Sequence, residues 1–411
     1  MIAEQLVQMA ISVVLGVLTA RYLGPSNYGV INYCAAYVAF FTSVCTLGLE
    51  GVIIKEMVNH RDEEGEIVGT GILMRLAASV LSIGTILLIL LFTDPGNTLV
   101  LKVAFLQSLV LAFKAFEIID FWFQSYLRSK YVAILKSISY FLVAAYKVYI
   151  LASNKSVEWF AFSTSLDFLL IAVMILAAYY KKGGKHFSFS MNMAKRLIKQ
   201  SCHFILSGLI ITVYTQMDKI MLRHMMDETQ VGFYSAALTI CNYWVLIPTA
   251  IINSARPTIM EQKKEGNEEL YLKRIRQLYA ILIWVGIAVS LVISLLSRFI
   301  TVTLYTDKYA ASSAALMIAI WYTTFSTLGI ARGIWLVCED KNRYVKNCVL
   351  WGAILNVVLN YFMIPVWGIN GAAIATLITQ IFNAIIAPML YKEIRVHSKY
   401  ILQAFLFKGV K

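Results

Sequence analysis

Apolar residues run along this chain in stretches of about twenty, each closed by a short polar or basic segment, and the pattern recurs from one end to the other. A stretch of that length lets a helix cross a hydrocarbon core ~30 Å thick, where each backbone group must be satisfied within its own segment. Spans are predicted at residues 2–20, 29–48, 69–92, 99–119, 132–152, 158–180, 201–224, 232–254, 276–297, 313–331, 344–365 and 368–390. Runs this apolar carry no period that separates helix from strand, so length decides. Barrel strands would alternate apolar with polar residues, and these do not. The fold class is therefore all-α integral membrane, with about twelve transmembrane helices.

Composition leaves nothing over for a soluble domain: 59% of the 411 residues are hydrophobic and 14% charged, with a mean hydropathy of +0.71. Such a chain takes lipid as its main solvent. A net charge of +13 would suggest nucleic acid in a soluble protein, but here the cations sort by loop. Connections after even-numbered spans carry Lys55, Arg61, Arg128, Lys130, the run from Lys181 to Lys199, the run from Arg256 to Arg276, and Arg332 to Lys346, and the tail adds Lys392 to Lys411. Odd connections hold Arg21, Lys155, Arg223, Arg298 and Lys308. The positive-inside bias then puts both termini and the even loops in the cytoplasm, and accounts for the basic total without a nucleic-acid partner. Met1 to Ala20 is expected to be a retained first helix, because no basic leader precedes it.

The connection at 181–200 has six spans before it and six after. The expected organisation is an N-terminal six-helix lobe at 1–180, a cytoplasmic linker at 181–200, a C-terminal six-helix lobe at 201–391 and a basic cytoplasmic tail at 392–411. An internal echo points the same way. Arg21 through Tyr28-Gly29 to Ala35-Ala36 parallels Arg223 through Val231-Gly232 to Ala236-Ala237, each joining the first two spans of its half. Parallel repeats of this kind are a transporter feature.

Catalytic and cofactor chemistry find no foothold. Gly183-Gly184-Lys185 lacks the leading glycine of a phosphate-binding loop and follows no strand, and the five histidines are scattered. The six cysteines lie in or beside spans without metal-site spacing. No metal or cofactor is expected, and the short odd loops leave no room for a catalytic domain.

The informative residues are ionisable groups inside spans, since a charge near the bilayer centre costs at least ~2.5–3.5 kcal/mol unless it meets a partner or a wet cavity. They are Glu4, Arg75, Lys102, Lys114, Glu117, Lys136, Lys147, Asp167, Asp218 and Lys219. Lys102 reads as a snorkelling side chain at the outer end of its span. Lys136 and Lys147, eleven residues apart, return to within about 20° on a helix and stand ~16 Å apart along it. With Tyr140 and Val143 on the same stripe, they form a cation ladder able to pass a phosphate from step to step. The competing reading is ion pairing, with Asp167 neutralising Lys147. Lys114 and Glu117, three apart, can pair or take ligand. Arg75 is expected near the cytoplasmic end of its span, within reach of an anionic headgroup. Adjacent Asp218 and Lys219 point to different faces, so only one of them readily faces a cavity. Asn356, Asn360, Gln380 and Asn383 either join spans or line a sugar path.

Several segments resemble the polysaccharide transporter (Wzx-type repeat-unit flippase) family of the MOP exporter superfamily. They are Ala20-Arg21-Tyr22-Leu23-Gly24-Pro25 with Tyr28-Gly29; Asp120-Phe121-Trp122-Phe123-Gln124; Asp218-Lys219-Ile220-Met221-Leu222 followed by Val231-Gly232-Phe233-Tyr234; and Ile364-Pro365 with Gly368-Ile369-Asn370-Gly371-Ala372-Ala373. The resemblance implies two pseudo-symmetric six-helix lobes around a cavity open alternately to either side. It implies a cargo of lipid (undecaprenyl) diphosphate-linked oligosaccharide moved across a bacterial cytoplasmic membrane, with membrane lipids, a polysaccharide polymerase and chain-length machinery as partners. It carries over no catalytic residues. From their placement alone, Arg75, Lys114, Lys136, Lys147 and Lys219 are expected to bind substrate, and Glu117, Asp167 and Asp218 to serve coupling or charge pairing. Two alternatives stand beside this reading. A MATE-like organic-cation antiporter would favour an acidic interior, and a membrane glycosyltransferase or polymerase would need a catalytic acid or base on a sizeable outer loop.

Overall fold

The computed structural model describes residues 2–409, without the side chains of residues 2–7 and 207, so the Glu4 side chain and Lys411 lie outside the described residues. Fourteen α-helices follow in chain order: α1 (Ile2–Cys45), α2 (Glu50–Asn59), α3 (Glu64–Thr93), α4 (Thr98–Phe113), α5 (Ile118–Ser125), α6 (Ser129–Ala152), α7 (Val157–Lys181), α8 (Met191–Met225), α9 (Glu228–Lys264), α10 (Glu268–Tyr305), α11 (Ser312–Cys338), α12 (Arg343–Ile381), α13 (Ala387–Met389) and α14 (Val396–Phe405). No strand occurs among the described residues. Ten continuous helical stretches are long and apolar enough to cross a membrane.

Two of the ten are each bent into a pair of apolar segments. The backbone leaves helical geometry at Gly24 (φ 71°) in α1 and at Gly368 (φ 55°) in α12, in the left-handed region that glycine enters without a Cβ clash. Each bend has a proline beside it, Pro25 and Pro365, which removes a backbone donor from the helical ladder. Spans 2–20 and 29–48 thus share one bent helix, as do spans 344–365 and 368–390, and the last of these ends in a π turn at Phe382–Ile386. Span 99–119 is also interrupted: a 3₁₀ turn at Lys114–Glu117 separates α4 from α5.

Two compact units divide the chain. One comprises residues up to Leu23 with Val30–Gln216, the other Gly24–Gly29 with Met217 onward. In the first, α4 packs on α3 and α7, and α7 on α6. Its core gathers Leu49, Ile53, Ile67, Ile118, Ile119, Trp122, Phe123, Tyr179 and Leu197. In the second, α11 is the central helix, packed on α9, α10 and α12, while α14 docks on α10. Its core gathers Tyr271, Ile275, Tyr279, Ala331, Trp335, Ala384 and Ile401.

The stretch from Gly183 to Ser190 is extended chain docked on the first unit. Ser188 N–H donates to the Gly65 carbonyl (3.1 Å), Ser190 N–H to Thr70 Oγ1 (3.0 Å), and Lys185 N–H to Glu64 Oε1 (3.3 Å). The start of α8 is tied to the same surface, with Arg196 Nη2 2.7 Å from Glu63 Oε2 and 3.2 Å from Glu56 Oε2.

Candidate functional site

In the first unit, α3 carries Arg75 inward, and the 3₁₀ turn brings Lys114 and Glu117 to meet it. Arg75 is 2% exposed. Its Nε donates to the Thr46 carbonyl (3.2 Å) and Nη1 to the Lys114 carbonyl (3.4 Å), while Nη1 lies 3.7 Å from Glu117 Oε2. The guanidinium also sits over the Phe121 ring at 5.4 Å. Sequence placement near a headgroup is thus replaced by a buried clamp holding a loop carbonyl, a turn carbonyl and a carboxylate. Lys114 Nζ stands 3.9 Å from Glu117 Oε1 and 5.2 Å from the centre of the Phe168 ring. Thr42, Cys45, Thr46, Arg75, Leu111 and Lys114 line a crevice here.

Lys136 on α6 has a partner that sequence reasoning missed. Its ammonium donates to Asp120 Oδ2 at 2.6 Å, with the carboxylate side chain 10% exposed and the lysine 46% exposed. Gln124, one turn further along α5, donates to Asp120 Oδ1 (3.2 Å). The signal was available in the Asp120-Phe121-Trp122-Phe123-Gln124 motif, where Asp and Gln stand four apart on one helix face. Asp167 accepts a hydrogen bond from Ser139, whose Oγ lies 2.6 Å from its Oδ1. Among the described residues the ion pairs within 4.0 Å do not include Lys147 with Asp167. Tyr140, on the same stripe, donates to the Gln8 carbonyl (2.6 Å) and joins α6 to α1.

The second unit assembles its polar centre around Asp218, which is 5% exposed. Tyr234 OH and Thr376 Oγ1 both donate to Oδ2 at 2.7 Å, and Asn360 Nδ2 donates to Oδ1 at 2.6 Å. The same Nδ2 reaches Asn356 Oδ1 at 3.1 Å. Three helices, α8, α9 and α12, thereby converge on one carboxylate. Asn356 Nδ2 and Asn360 Oδ1 are buried without hydrogen-bond partners among the described residues, leaving polar capacity beside the acid. Lys219 follows Asp218 directly on α8.

Sequence reasoning also misplaced Arg332. Its place in an even-numbered connection is replaced by one within α11, where it is 4% exposed and its Nη1 donates to the Asn383 carbonyl (2.6 Å). That carbonyl belongs to the π turn, where the Ala387 N–H goes to the Phe382 carbonyl instead and the next position, Pro388, has no N–H to give. Asn383 itself packs against Gly352, so this asparagine acts in helix packing.

Comparison with known proteins adds three findings. The family profile described as "Polysaccharide biosynthesis protein" matches residues 1–263, and the "MatE" profile matches residues 204–362. The chain is 24% identical over 396 residues to a Shigella flexneri protein described as "Putative O-antigen transporter", covering 90% of this chain and 91% of that one. Its fold resembles the lipid II flippase MurJ in an inward closed conformation (TM-score 0.71, 14% identity, 98% of this chain and 89% of the other). It also resembles an inward-facing MATE multidrug transporter (TM-score 0.67, 14% identity, 98% and 93%). These likenesses show that the chain shares the fold of MurJ and of the MATE transporter.

Proposed function

Because the chain belongs to the polysaccharide biosynthesis protein family, we propose that it is a flippase carrying a lipid (undecaprenyl) diphosphate-linked oligosaccharide repeat unit across the bacterial cytoplasmic membrane by alternating access. The carrying observation is that match over 1–263, which spans the unit holding Arg75, Lys114, Lys136 and Lys147. A lysine meets phosphate as a point charge with rotatable donors. Lys136 is the first contact: its ammonium is partly exposed and held by a single carboxylate, so it can exchange Asp120 for a phosphate oxygen. Lys114 and Lys147 extend the path, and Arg75 holds the turn that presents Lys114. Lys219 and Asp218 serve the second unit.

Direction requires that the two conformations bind something differently. Asp218 supplies the group: a buried carboxylate with three donors and unpartnered amide atoms beside it can release a donor to take up a proton or a monovalent cation. The MatE match across residues 204–362 spans Asp218, and the same carboxylate would be the coupling group in the alternative reading, an antiporter of organic cations. Purified protein in vesicles decides between them. Fluorescent lipid diphosphate oligosaccharide on one leaflet should appear on the other faster than in protein-free vesicles. No acceleration across several sugar types, with efflux of a lipophilic cation instead, would reverse the order of the two readings.

A further inference from the structure

Beyond the last long apolar helix the chain forms α14, a ten-residue helix with two unlike faces. Its inward face is fully anchored in the second unit. His397 Nε2 and Tyr279 OH are 2.8 Å apart, Ser398 Oγ donates to the Ile385 carbonyl (2.7 Å), and Ile401 and Ala404 are buried. Arg276 lies over the Tyr400 ring at 5.5 Å. These contacts fix the rotation of α14, and therefore what it turns outward.

The outward side is apolar and basic together. Leu402 is 48% exposed, Phe405 44%, Leu406 59% and Phe407 53%, with exposed Lys399 and Lys408 set among them and exposed Lys392 and Arg395 just before the helix. Residues 392–411 hold five cations, Lys392, Arg395, Lys399, Lys408 and Lys411, against the single acid Glu393, a balance of +4 with His397 neutral. The apolar part continues onto the lipid-facing side of α10. Trp284 is 39% exposed and stacks with both Phe405 and Phe407, at 5.5 and 5.4 Å and 11°. Ile281 and Val285 beside it are 47% and 42% exposed.

An aqueous face would not keep four large apolar side chains open in a row, and a hydrocarbon-facing one would not carry this many cations. An apolar surface containing tryptophan and ringed by lysine and arginine fits the headgroup boundary, where such a helix lies in the membrane plane. We propose that α14 and the Trp284 face of α10 form an interfacial site for anionic phospholipid, with Leu402, Leu406 and the phenylalanines in the acyl boundary and Lys399 and Lys408 on the phosphates. The continuity with the lipid-exposed surface of α10 selects a bilayer over a protein partner, and the charge selects its anionic lipids.

The test uses the full chain with Cys202→Ser and a nitroxide on Leu402→Cys, in vesicles of phosphatidylcholine alone or with added phosphatidylglycerol. The label should be reached by oxygen several-fold better than by a nickel chelate, and the difference should grow when phosphatidylglycerol is present. Lys399→Glu with Lys408→Glu, or the milder pair Lys399→Gln with Lys408→Gln, should remove that growth without changing the melting temperature in detergent. A label open to the chelate in both vesicles would put the helix in water and overturn the proposal. So would a label shielded from both reagents, as cover by a second copy would make it. A phosphatidylglycerol response that survives both pairs of substitutions would refute the assignment to these lysines.

Discussion

At the scale of single residues, Lys136 and Arg75 meet carboxylates carried by other elements, while Asp218 takes three neutral donors, and this sets what each substitution should do. Removing Lys136 leaves Asp120, among the described residues, with Gln124 as its one donor. Lys136→Ala should cost about 1–3 kcal/mol, below the fully buried range because the lysine end is 46% exposed. The double change Lys136→Gln with Asp120→Asn should regain the melting temperature but not lipid transport. If transport returns as well, the lysine only neutralised the aspartate. Asp218→Asn keeps the shape of its cluster but loses a charged hydrogen bond worth ~1.5–3 kcal/mol, so ion-dependent transport should fall about tenfold or more. Transport rates unaltered across pH and salt in that variant would exclude Asp218 as the coupling group. His397, outside the spans, is held well below the usual histidine range by burial, with the Arg332 cation adding to it. Its Nδ1 has no hydrogen-bond partner among the described residues. A base with a lowered folded pKa binds fewer protons folded than unfolded, so stability is full above pH ~6.5 and declines below it, by up to about 1.4 kcal/mol per pH unit. Thermal melts of the wild type between pH 7.5 and 5 should show that decline, and His397→Phe should flatten it.

At the scale of elements, the repeat echo in the sequence corresponds to one tight crossing. A Cβ on Gly29 would overlap the Glu228 carbonyl, and one on Gly232 would overlap the Pro25 carbonyl, so the bent segment of α1 and the start of α9 touch backbone to backbone. Overpacking a well-fitted contact usually costs ~1–3 kcal/mol, and here rigid backbone must move. Gly29→Ala and Gly232→Ala should each lower the melting temperature in detergent, whereas Gly84→Ala and Gly333→Ala, which face open space, should not. Equal effects at all four would mean the crossing is not held as described. Spans were legible because length and hydropathy report a local property. The bends were not, since a polar, proline-bearing stretch such as Arg21–Tyr28 reads as a loop until the helix is seen to pass through it. Pairings escaped for a related reason. Asp120 and Lys136 are sixteen residues apart on different helices, and the buried environment of Arg332 depends on a π turn fifty residues later. Lys114 with Glu117, three apart, and Asp120 with Gln124, four apart, could be anticipated from spacing, and even for the first the 3₁₀ turn and the buried Arg75 had to be supplied by the fold.

At the scale of the whole molecule, the unequal distribution of cations among the loops has to act on insertion, because few of them take part in the buried clusters. Lysine and arginine beside a span resist translocation, so their sorting sets orientation. The docked stretch Gly183–Ser190 carries that argument furthest. It is flanked by Lys181, Lys182 and Lys185 on one side and Lys195, Arg196 and Lys199 on the other, and its hydrogen bonds to Gly65, Glu64 and Thr70 place the start of α3 on the same side. The turn before α3 adds Arg61 and α2 adds Lys55, so two stretches distant in sequence agree on one face. The turn between α6 and α7 should lie on the other, where Asn154 is exposed and Lys155 is the one cation between Ala152 and Val157. With Cys202→Ser as background, Ser188→Cys should be protected in intact cells from a membrane-impermeant maleimide and react once the membrane is opened, while Asn154→Cys should react in intact cells. The reverse pattern would invert the protein, and the interfacial helix α14 would then meet the outer leaflet. Labelling of both sites in intact cells would mean that charge does not fix a single orientation.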